Sequence, residues 1–106
     1  MPVTMDPYEE AYQFIQRLLE ELKEKSFSEL ADLEHAPQEK KVNFSDVEFK
    51  ITTWARKHKA EDNLGVLVES SHYNLLGIST VCAVGMFVDA DGVAEMKEED
   101  LWGYGY

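Results

Sequence analysis

Apolar residues in the first part of the chain recur at helical spacing: Tyr8, Tyr12, Ile15, Leu19 and Leu22, with Ala11 and Leu18 beside them. Glu9, Glu10, Gln13, Gln16, Arg17, Glu20 and Glu24 fall mostly off that stripe, which predicts a one-sided amphipathic helix. Asp6-Pro7-Tyr8-Glu9 marks its start. Asp6 can accept from free backbone N–H groups, Pro7 suits the first helical position, and Glu9 sits three residues after the cap. Ser26-Phe27-Ser28-Glu29 is a second capping box, followed by Phe27, Leu30, Ala31 and Leu33. A break near Lys25–Ser26 and a short second helix to about Glu34 follow; a single bent helix is the alternative. Pro37 ends the segment, because the residue before a proline disfavours the helical region.

Past a charged link at Gln38–Lys41 the period changes. Val47, Phe49, Ile51 and Thr53 alternate with Glu48, Lys50, Thr52 and Trp54, the pattern of a strand with one core face and one wet face. Val42 and Phe44 have the opposite parity, so a β-bulge or a turn must correct the phase near Ser45-Asp46. Arg56–Asn63 reads as a hairpin loop, Leu64–Ser71 as the second strand, and Ser71–Gly77 as a longer connection. Ile78–Val88 is the third strand. Asp89-Ala90-Asp91-Gly92 is a tight turn, and Val93–Met96 a short fourth strand. Glu98–Trp102 reads as a final turn of helix or coil before an aromatic end, Gly103–Tyr106.

Hairpin-length loops imply antiparallel neighbours, since parallel strands need long crossovers. Helices followed by strands imply an α+β fold. The expectation is one domain, residues 1–106. An N-terminal helix, plus a short second helix, packs on a curved antiparallel sheet of three to four strands in meander order, similar in architecture to cystatin-like folds.

The third predicted strand is apolar on both faces. Cys82, Val84, Met86 and Val88 lie on one, and Val81, Ala83, Gly85 and Phe87 on the other. The helices can cover only one of them. Leu67 and Trp54 share the parity of the second face. Its expected cover is the C-terminal segment with Leu101, Trp102 and Tyr104, a second copy, or a ligand. The candidate interface residues are therefore Trp54, Leu67, Val81, Ala83, Phe87, Trp102 and Tyr104.

Charge narrows the options. The 106 residues carry 21 acids against 10 bases, net −11. Such a chain lacks the basic surplus of a nucleic-acid binder and is repelled by anionic membranes. It suits a basic protein partner. The charge is uneven: Asp6–His35 holds nine acids and three bases, Lys40–Lys59 six bases and two acids, and Asp89–Tyr106 six acids and one base. With 44% hydrophobic residues a packed core is expected. One cysteine, no signal-like start and no long apolar window point to the cytoplasm.

No catalytic constellation emerges. Cys82 with His72 could be drawn as nucleophile and base, but a mid-strand thiol acts as a small hydrophobe. Asp89-Ala90-Asp91-Gly92 fails as a calcium loop, because its fifth and sixth positions are Val93 and Ala94. His35, His58 and His72 have no metal-ligand spacing, so neither a metal nor another cofactor is expected. The reading is an acidic, non-enzymatic interaction module or homodimer. The alternative is a small-molecule binder or minor enzyme with a pocket between helix and sheet, using Tyr12, Trp54, His72 and Tyr73 as polar handles.

Overall fold

The computed structural model describes residues 6–58, 63–74, 77–89 and 92–97. Helix α1 spans Pro7–Leu22 and α2 spans Phe27–Ala31, the latter running on into a 3-10 turn at Asp32–Glu34. The strands are β1 Gln38–Phe44, β2 Val47–His58, β3 Asn63–Asn74, β4 Gly77–Asp89 and β5 Gly92–Glu95. They form one antiparallel sheet in the order β1-β2-β3-β4-β5.

The helix starts follow the chemistry of their caps. The Asp6 carboxylate accepts from the Tyr8 backbone N–H at 2.7 Å, and Ser26 Oγ accepts from the Glu29 backbone N–H at 3.2 Å. Two orphan donors are thereby satisfied. The chain does break between the helices, and Ser26 opens the second one.

The sheet has five strands where three to four were expected. The additional strand is β1, at Gln38–Lys41 and beyond, which the sequence presents as a charged link. As an edge strand it needs no continuous apolar face, and its charges protect the unpaired edge. The phase change between Phe44 and Val47 is a two-residue hairpin turn rather than a bulge. Ser45 and Asp46 both take positive φ, 49° and 66°, and Phe44 pairs with Val47. This is the primed turn geometry whose twist matches that of a two-stranded ribbon.

A second correction concerns Ser71–Asn74. These polar residues belong to β3 and pair with β4, so His72 and Tyr73 lie in a strand and not in a connection. Pairing survives because the register shifts between Ser70 and Ser71. Cys82 opposes Ser70, Thr80 opposes Ser71, and Val81 is the extra residue of a bulge. At the far end, Asp89 pairs with Gly92. Gly92 has φ +148°, and its N–H donates to Asp89 Oδ1 at 3.0 Å.

The core lies between the helices and one face of the sheet. Ala11, Ile15, Leu19 and Leu22 of α1, with Leu30 and Leu33, meet Phe49, Ile51, Val66, Val68 and Met86. Each fully buried Ile, Leu or Phe stabilises by roughly 1.5–3 kcal/mol, so this layer provides the main cohesion of the fold. Cys82 and Val84 pack on its margin. Lys23 ties the end of α1 to the sheet. Its Nζ reaches Glu20 Oε1 at 2.8 Å and Glu95 Oε1 at 2.6 Å, and hydrogen bonds to these two carboxylates hold its ammonium above the usual lysine range.

Candidate functional site

Two clusters gather the chemistry-bearing residues, one on each face of the sheet. The first lies on the helix side, at the start of α1. Tyr8 stands on the first helical turn because Pro7 and the Asp6 cap fix the entering chain there. Its ring packs edge-on against Phe49, with centroids 5.7 Å apart. Its hydroxyl and His72 Nε2 form a 3.2 Å hydrogen bond. His72 reaches this place because it opposes Phe49 in the β2–β3 register. The aromatic chain continues through Phe44 to Phe14, and Lys40 Nζ lies 5.9 Å from the Phe14 ring centre. Nearby, Ser45 Oγ donates to Glu10 Oε2 at 3.4 Å. Tyr8 and Tyr12 remain 44% and 42% exposed, which places both rings at the surface of an acidic helix turn.

The second cluster lies on the face turned away from the helices. Trp54, Leu67 and Gly85 share one row across β2, β3 and β4. The Trp54 side chain is hydrogen-bonded to Glu69, its diagonal neighbour. Burial pushes the Glu69 carboxyl above its usual range. The Trp54 hydrogen bond and the positive charge of Lys50 oppose that rise. Lys50 also lies 3.4 Å from Glu39, and Lys41 lies 3.9 Å from Glu48. Leu67 is fully buried and Ser71 nearly so, although both face away from the helices. Gly65 and Gly85 are buried on the same face. Met96 accounts for part of this closure. Its N–H donates to the Gly85 carbonyl at 2.9 Å, and its thioether lies over Gly85.

Of the four residues expected to line one pocket, the three with described side chains do not converge. His72 is on the helix side, Trp54 on the opposite face, and Tyr12 on the exposed flank of α1. The Tyr73 side chain lies outside the described residues. Among the expected interface residues, Leu67 is buried while Trp54, Ala83 and Phe87 are half-buried. The Val81 side chain, Leu101, Trp102 and Tyr104 lie outside the described residues. Two participants are not marked by the sequence pattern. Tyr8 looked like a core position because it falls on the apolar stripe, yet the first turn of a helix often overhangs its sheet. Glu69 carries no signal of its own in the sequence; only its diagonal relation to Trp54 singles it out.

No family model, no curated protein and no solved structure matches this chain. Cys82 Sγ and Ser70 Oγ share a 2.9 Å hydrogen bond, and burial raises the thiol above its ordinary range. A thiol held protonated is a poor nucleophile, and His72 Nε2 is hydrogen-bonded to the Tyr8 hydroxyl. Asp89 Oδ1 is engaged by the Gly92 N–H. Among the described residues no cluster of three metal-ligating side chains occurs, and no helix is long and apolar enough to cross a membrane.

Proposed function

We propose that this chain is a non-enzymatic, acidic protein-binding module whose contact surface is the first two turns of α1. The observation that carries the reading is the pair of exposed tyrosines, Tyr8 and Tyr12, on a helix start that also bears Asp6, Glu9 and Glu10. Aromatic anchors with few rotatable bonds dominate protein interfaces, and Tyr8 is pre-oriented by Phe49 and His72. A net charge of −11 fits a basic partner and speeds its approach. A different protein is favoured over a second copy, because Leu67 and Gly85, the centre of the face expected to join two copies, are already buried within one chain. The likeness to cystatin-like architecture belongs to the same proposal and rests on a helix lying across an antiparallel meander. A pocket between helix and sheet is less well supported, since Ile15 and Leu19 fill that space against Phe49, Val66 and Met86.

The test is site-specific photocrosslinking. A photoreactive phenylalanine at position 12 is expected to capture one discrete basic protein, and capture should fall in 0.5 M salt. The same group at position 34 should capture none. Tyr8→Ala should weaken binding by about tenfold, the effect of an anchor worth somewhat over 1 kcal/mol. Equal capture at both positions, or capture indifferent to salt, sinks the proposal.

A further inference from the structure

β5 is a short strap that pairs along the edge of β4 and ends the sheet. It is four residues long and every one is exposed. On the helix side Glu95 is held by Lys23. One residue later Met96 turns to the opposite face, and its backbone N–H bonds the Gly85 carbonyl. The thioether then rests where a side chain on residue 85 would be. A methyl group built on Gly85 would stand 2.6 Å from Met96 Sδ, 3.1 Å from the Val66 carbonyl oxygen and 3.4 Å from Leu67 Cγ. Met96 fits this slot because residue 85 is glycine. The contact is apolar, and it fastens the strap beside β4, the most apolar strand of the sheet.

The described methionines differ in access. Met86 is fully buried in the core, whereas Met96 is half-buried at the rim. We propose that Met96 is an oxidation site that controls the attachment of β5. The reaction partner is a peroxide. The thioether sulfur attacks one oxygen of hydrogen peroxide, the O–O bond breaks and an S–O bond forms; sulfur loses two electrons, and the other oxygen leaves as hydroxide, takes up the proton of the attacked oxygen and departs as water. The product, a sulfoxide, is polar and chiral where the slot against Gly85 and Leu67 is apolar and narrow. The strap keeps the Lys23–Glu95 bridge, the Asp89–Gly92 contact and its backbone pairing but loses the seat of the thioether, and its end beside Gly85 loosens from β4.

The experiment exposes the full-length protein to hydrogen peroxide, maps oxidised methionines by mass spectrometry, and follows hydrogen exchange in peptides spanning residues 82–97. Met96 should oxidise at least tenfold faster than Met86, and exchange across 85–89 and 92–96 should then quicken severalfold while β2 is unchanged. Met96→Leu should keep the protection and lose the response to peroxide. Gly85→Ala should lower the protection without any oxidant, because it displaces the thioether. Equal oxidation of Met86 and Met96, unchanged exchange after Met96 is oxidised, or the same response in Met96→Leu overturns the proposal.

Discussion

Glu69 holds a carboxylate against the apolar part of the sheet's outer face, and that position has a pH signature. Burial raises its pKa in the folded state above the unfolded value, with Trp54 and Lys50 opposing the rise. Above both values the folded protein carries a charge that burial disfavours. As pH falls through the folded-state value, the folded protein takes up the proton first and the penalty vanishes. Glu69→Gln keeps an oxygen that can accept from the Trp54 indole and removes the charge. The variant is expected to show a higher urea midpoint than the parent at pH 7, with the two converging toward pH 4. A lower midpoint at pH 7 would mean that attraction to Lys50 outweighs burial. None of this was legible in the sequence. Alternation puts Glu69 on the same side as Leu67, but it does not register a half-buried tryptophan two residues across the ladder. Cys82 was the opposite case: its place in an apolar run already indicated a thiol packed as a small hydrophobe, and burial raises it while its bond to Ser70 opposes the rise.

Elements were legible where local chemistry decides them and obscure where pairing does. The Asp6 and Ser26 caps act within one helical turn, so both helix starts could be read directly. β1 could not be, because an edge strand rich in lysine has the composition of a link. The phase conflict between Phe44 and Val47 did mark the place, although it left a bulge and a turn equally open. The turn that resolves it is poorly served by its residues. Ser45 and Asp46 both sit in the left-handed region, where most residues with a Cβ are strained and Asn-Gly is preferred. Ser45→Asn with Asp46→Gly should therefore stabilise the β1–β2 hairpin by about 1 kcal/mol. Thermal unfolding should shift upward by about 4 °C for a domain of this size. The gain should disappear in a variant whose Phe44–Val47 pairing is broken. A decrease would show that the Ser45–Glu10 contact at 3.4 Å outweighs backbone strain.

For the molecule as a whole, the sequence made it plain that both faces of β4 need cover, because parity counts apolar positions on each side. It could not name the cover, since burial by the same chain and burial by a second one leave the same pattern. The burial of Leu67 and the seat of Met96 on Gly85 place at least part of that cover within one chain. Charge is organised at the same scale. The ion pairs of the β1–β2 hairpin, Lys41–Glu48 and Lys50–Glu39, stay within the hairpin, and Lys23 joins α1 to β5. Exposed pairs of this kind contribute about 0–1 kcal/mol each. They cannot balance the repulsion among nine acids carried between Asp6 and His35 against three bases. Repulsion across such a surface is screened over about 10 Å at 0.1 M salt and about 3 Å at 1 M. Added sodium chloride should therefore raise the midpoint of thermal unfolding at pH 7, most steeply below 0.2 M, before levelling off. If the pairs dominated instead, the midpoint would fall as salt is added. Lys23→Met separates the two effects. It removes the bridge to Glu20 and Glu95 and increases the net negative charge, so its unfolding midpoint should lie below the parent's in low salt and respond more strongly to sodium chloride.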